Sequence, residues 1–560
     1  MASIVNFNNR AIIEPGVYAR TLGTVETVLP QGQSNILLWI DSGNLNTGFG
    51  FGGSIAGEIT SAKDAIYFFQ TAEDVKKAVG GGILYGLADV LFKPTKSLSV
   101  PGVGGIYYVR AATTAAASVT FTFTGGGSNG GSFVIKSKTE GLAGNGALNG
   151  AGSSLSLGFG AHMKAGRLDS SKFRIVFYRG TYTGLNTTVT PNVAFNGTIE
   201  SQTTPIEILE TPEFNNATEL AYFFATDAKF NSLFKATTST ITGTGAVTSA
   251  DLSSNSTLKL FAGGTQTYST THLDTVLENV TELDYTFVIT DRFGTTVTDT
   301  YCQKIVNHIK SNSDYEQFFF APAGLDKDTA DDPLDTTNPQ HSVQVAQYYN
   351  TPRVYTVHGD VWRKSPVSGQ TNYRYNVLWN AALMCGRMAG VPPQVPVVWL
   401  DIDIEGVVHD PLKKERERFI QTGVMHLRNV PDVGGFVIAD DINTMQNNIQ
   451  DVYPDGTSPQ GSIMRIASSL NKGAIQGIRR TFIAGRNVNT SSPVDIKAWM
   501  ENYLQQNVAT SQSDDLILTF KNVTVTLSDS DYYINYAFTP NGPVKRFFIT
   551  GFMLPVSLTA

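Results

Sequence analysis

Residues 34–41 read SNILLWID, an apolar run bounded by polar residues, the pattern of a strand covered on both faces. The period then changes in TSAKDAIYFFQTAEDVKKAVGGG, where Thr71 and Asp74 form a short capping box and begin a helix that stops at Gly80–Gly82. ILYGLADVLF (83–92) keeps apolar residues at helical spacing, and GIYYVRAA (105–112) returns to a strand. Strand, helix and strand in this order predict an α/β unit.

From about Thr113 the texture is different. SVTFTFTGGGSNGGSFVIKSKTEG and FRIVFYRGTYTGLNTTVT alternate apolar residues with Thr or Ser between glycine-rich turns, which predicts antiparallel sheet. Helical signals come back in 211–236. After LKLFAGG (258–264), a helix at 271–283 and strands at 284–290 and 315–324 resume the α/β order, so the β-rich stretch reads as inserted. DKDTADDPLDTTNPQ (326–340) is a loop, and beyond it strands and helices alternate as far as DYYINYAFTP. The predicted fold class is α/β and α+β multidomain: an α/β core with an inserted β-rich domain and extended strand arms at both termini. The boundaries are an N-terminal arm at 1–25, an α/β domain at 26–112 and 237–345, and an inserted domain at 113–236. A C-terminal α+β domain covers 346–539 and a C-terminal arm 540–560.

Composition narrows the function classes. Of the 560 residues 41% are hydrophobic but only 16% charged, well below the roughly 25% usual in soluble domains. A surface so low in charge repels its own copies weakly, which favours self-association. The net charge of −7 gives no support to nucleic-acid binding. Cys302 and Cys385 cannot build a disulfide framework or a cysteine-rich zinc site, so both are expected buried and reduced. No secretory signal opens the chain and no apolar run approaches a bilayer span, so membrane insertion is not expected.

Catalytic and cofactor motifs fare poorly. Gly48–Gly53 (GFGFGG) matches GxGxxG, but it starts seven residues after the strand and meets no helix until about Ser61, so a glycine loop is the better reading. Asp326, Asp328, Asp331 and Asp332 suggest a calcium loop, yet Ala330 and Asp331 occupy its fifth and sixth positions, where a ligand and a glycine belong. Asp401, Asp403 and Glu405 read as the wet face of a strand whose other face carries Ile402 and Ile404. The seven histidines are scattered, and no nucleophile elbow or Walker sequence occurs. The expectation is a non-enzyme without cofactor or metal.

The two ends carry more. IIEPGVYARTL near the front places strand-like residues around a rigid Pro-Gly turn, and VKRFFITGFMLP near the end has strand propensity and lies beyond Pro540-Asn541-Gly542-Pro543. Ile13, Pro15, Gly16, Val17 and Tyr18 on one arm, and Val544, Phe547, Phe548, Ile549 and Phe552 on the other, are the candidate subunit-interaction residues. Each arm could complete a sheet in a neighbouring subunit or pair within its own; the residues leave both open.

PGVY, GIYYVRAA, KTEGLAGNG (138–146), LKLFAGG and FFITGFMLPV, in this order, resemble contractile phage tail sheath proteins. The resemblance implies a virion protein assembled in the host cytoplasm, a homo-oligomer in a helical hexameric stack. Its implied partners are an inner tail tube protein and baseplate and tail terminator proteins. Terminal arms would knit the subunits together, the inserted domain would face outward, and contraction would drive the tube through the envelope. Candidate tube-facing residues are Lys413, Lys414, Arg416 and Arg418 on a mixed-charge helix, together with Arg479 and Arg480. Sheaths of phage-tail-like bacteriocins or secretion machines, and a β-rich adhesion protein, are the alternatives.

Overall fold

A computed structural model describes residues 5–7, 10–12, 35–41, 66–79, 82–95, 101–123, 131–140, 145, 154–183, 204–227, 230, 234–237, 246–268, 270–290, 300–311, 317–322, 341–364, 371–430, 435–445, 460–483, 492–510, 515–528 and 531–541. The glycine run at 48–53 and the acidic segment 326–340 lie outside them, as do Ile13, Pro15, Gly16, Val17, Tyr18, Val544, Phe547, Phe548, Ile549 and Phe552.

The body is built on a seven-stranded sheet in the order Val424–Met425, Val354–Val357, Phe318–Pro322, Phe287–Thr290, Ile36–Asp41, Gly105–Arg110 and Tyr67–Phe69. All neighbours are parallel except the last pair. The apolar runs are explained by cover on both faces. Leu37, Trp39, Ile289 and Phe320 pack against helices Gly82–Phe92 and Val377–Ala389, while Leu38, Ile40, Val288 and Phe319 pack against Thr270–Val280 and Thr300–Ser311. Thr71 caps its helix as expected: its hydroxyl accepts from the Asp74 N–H at 3.1 Å and donates to that carboxylate at 2.9 Å. Cys302 and Cys385 are buried and form no disulfide.

The β-rich unit is a pair of four-stranded sheets. One runs Thr204–Glu210, Phe173–Thr183, Ser154–Ala165 and Lys259–Leu260; the other runs Phe234–Thr237, Gly131–Glu140, Ala112–Phe123 and Thr265–Tyr268. Their shared core is dominated by phenylalanine, with Phe177 stacked on Phe234 at 4.3 Å. Two of these strands lie past residue 236, in a segment whose sequence order reads as α/β. The exit strand Thr265–Tyr268 pairs antiparallel with the start of the entry strand, Ala112–Ala115, so the two crossings between the units lie side by side.

Where that entry leaves the central sheet, Asp41 and Arg110 form a fully buried ion pair at 3.0 Å, and the Tyr108 hydroxyl donates to the same Asp41 carboxylate. Further along, Asp401, Asp403 and Glu405 are not on a strand as predicted. Ile402 and Ile404 are buried in a bent segment, Asp401 and Asp403 pair with Arg387 and Arg363, and Glu405 accepts from the Asn372 N–H.

Candidate assembly surface

The C-terminal segment folds as a long hairpin, Ile517–Ser528 with Asp531–Pro540, lying on two helices, Gly461–Ile478 and Pro493–Gln506. Alternation explains the arrangement: Ile517, Val523, Ile534, Tyr536 and Phe538 turn toward Ile466, Leu470, Met500 and Leu504. Tyr503 fixes one helix to the other by donating to the Leu470 carbonyl at 3.0 Å. Pairing slips between Lys521 and Thr524, where Asn522 takes a left-handed φ of 57°, so the hairpin carries a bulge. Leu518, Leu527 and Tyr533 are exposed.

This sheet has two strands among the described residues. Apart from a bridge between Val508 and Ile517, each strand keeps one edge to which no other described strand pairs. Such edges are templates for another chain's backbone. The C-terminal candidate arm starts directly at the hairpin's end. At the other terminus Val5–Phe7 and Arg10–Ile12 pair with each other, immediately before IEPGVYAR.

The basic candidates fall in two places. Lys413 and Lys414 are exposed in the first turn of helix Lys413–Thr422, where Lys413 lies 3.9 Å from Glu417. Arg416 and Arg418 are half-buried, and Arg416 donates to the Pro411 carbonyl. Arg479 and Arg480 are exposed where helix Gly461–Ile478 runs on into a wide-turn segment, Arg479–Ile483. The helix carrying the first group packs through Phe419 on the edge strand of the central sheet, and the second group extends the helix beneath the hairpin.

Four of the seven histidines come together in space. His341, His358, His409 and His426, far apart in sequence, converge under helix Lys413–Thr422. The His358 ring lies 5.9 Å from that of His409 and 4.7 Å from Phe419, which is 5.3 Å from His426. His358 Nδ1 meets the Ser342 hydroxyl, and His409 Nε2 lies 3.0 Å from Glu415. Burial, and then the neighbouring imidazoles, hold His358 down to about 3; burial holds His426 down to about 4. Only tertiary structure assembles this group, so no spacing signal in the sequence could have found it.

A groove of about 620 Å³ on the β-rich unit is lined by Phe214, Tyr222 and Phe223, but Asn216 beside it caps a helix and Glu219 is spent on Asn215 and Asn216. Among the described residues no group of three or more His, Cys, Asp or Glu could hold a metal ion, and no helix is long and apolar enough to cross a membrane.

No family model matches the chain. Its architecture is that of sheath tail proteins: the crystal structure of one from Desulfitobacterium hafniense superposes with a TM-score of 0.56 at 14% identity, covering 95% of this chain and 98% of that one. A second, from Listeria innocua, gives 0.48 at 14% identity over 93% and 96%. In sequence the chain is 20% identical over 601 aligned positions to the tail sheath protein of Bacillus phage SP01, spanning 98% of this chain and 97% of the relative. The resemblance to tail sheath proteins therefore spans nearly the whole chain, in sequence as well as in fold.

Proposed function

We propose that this protein is the sheath subunit of a contractile phage tail. Many copies polymerise helically as a hexameric stack around an inner tube and contract to drive that tube through the host envelope. The observation that carries the reading is the C-terminal hairpin, one face on its own helices and its outer edges paired by no other described strand, with the candidate arm following its end. Donated strands from neighbouring copies would extend it by backbone hydrogen bonds, with side-chain alternation fixing register. A contact that reaches forward to the next copy is head-to-tail, and repeats without closure give a helix.

The logic of contraction is consistent with this anatomy. Bodies repack across weakly charged surfaces while strand-paired arms keep the subunits joined. The work comes from the free-energy difference between an extended and a contracted lattice, so no nucleotide is consumed. Of the six basic candidates, Lys413, Lys414, Arg479 and Arg480 are the exposed ones and would face the tube; baseplate and terminator proteins would bind the two ends of the stack. The sandwich, joined to the body by two adjacent crossings, would face outward.

Electron microscopy of the purified protein tests the reading. Helical tubes are expected, and removal of Met1–Leu22 or Pro543–Ala560 should leave folded monomers that no longer polymerise. Discrete particles from the full chain, or normal tubes from either truncation, would overturn it.

A further inference from the structure

We propose that the buried histidine cluster is an acid-sensitive latch, which releases helix Lys413–Thr422 from the edge of the central sheet when His358 or His426 takes up a proton. The geometry makes the helix depend on neutral rings. Phe419 projects from it between His358 and His426, and packs with Val343, Ala346 and Val424. The two imidazoles are 2% and 1% exposed, and the Nε2 atom of each is buried without a protein hydrogen-bond partner. A proton added there has no acceptor in place.

The charged surroundings set the structural cost of that proton. His358 faces His341 and Ser342 from the helix Ser342–Tyr349 side, His426 from just past the edge strand, and His409 and Glu415 from the segment carrying the helix. Glu415 is the one carboxylate among these, and it is already engaged: it accepts from the Leu412 N–H at 2.7 Å and from His409. From the helix N-terminus Glu415 favours a charged His358 only at a distance, and any movement toward that ring would uncap the helix. His426 faces Asp440, which would favour its proton, but also Arg416 and Arg428, which oppose it. Either proton therefore weakens the same helix. The latch does not depend on the sheath reading.

Hydrogen exchange of the full-length protein, corrected for intrinsic rates, is the test. Between pH 6 and pH 5 the opening constant of amides in 413–422 should rise about tenfold per proton taken up, while strands Ile36–Asp41 and Phe287–Thr290 stay protected. The double variant His358→Phe/His426→Phe should lose that rise, and His308→Gln, in a separate helix, should keep it. Equal acid sensitivity of helix and sheet in the natural protein would overturn the latch, whether or not the variant folds. So would an undiminished rise in a folded double variant.

Discussion

His358 and His426 illustrate how single residues here trade stability for shape. In an open chain a histidine takes up its proton below about 6.5, whereas the folded protein refuses it until about 3 and about 4 respectively. The unfolded state thus binds more protons throughout that window. Stability is full above 6.5 and declines as pH falls toward 4, by up to ~1.4 kcal/mol per unit for each group. Urea titrations at pH 7.5 and 5.0 should show the lower midpoint at pH 5.0; equal midpoints would contradict the buried neutral state. Asp41 is a second such residue. Asp41→Ala strands Arg110, fully buried beside Tyr108, and should cost about 3–5 kcal/mol in the same assay.

At the scale of elements, helix Lys413–Thr422 ends on Gly423 with φ of 82°, and an added Cβ would stand 2.3 Å from the Asn443 carbonyl oxygen. Gly423→Ala should therefore destabilise by more than about 1 kcal/mol, seen as a lower melting temperature. The elements also show what was legible in the sequence. The apolar runs ILLWI and FFFA were readable because burial on both faces leaves them no alternating polar positions, and Thr71–Asp74 because a cap is local. Lys259–Leu260 and Thr265–Tyr268 were not, because edge strands of two and four residues hold no period and owe their place to distant partners. Asp401, Asp403 and Glu405 mimicked a strand because a bent segment that buries Ile402 and Ile404 alternates in the same way. The helix Thr300–Ser311 is required by the parallel pairing of Phe287–Thr290 with Phe318–Pro322, a topological demand invisible to a local window.

For the whole molecule, ends and middle divide the work. The α/β body supplies rigidity, the Phe-rich sandwich is attached through one pair of adjacent crossings, and the hairpin presents backbone edges. Charge reversal at Lys413 and Lys414 should leave tube-free polymerisation intact and weaken assembly around an inner tube, in a co-sedimentation assay; unchanged co-assembly would move the tube-facing surface to Arg479 and Arg480. The central claim is that copies are joined by strands added to the hairpin Ile517–Ser528/Asp531–Pro540. A cryo-electron microscopy map of the assembled particle, traced through both arms, addresses it directly. The account predicts that this sheet gains strands belonging to neighbouring subunits; arms folded back onto their own subunit, with the hairpin still two-stranded, would contradict it.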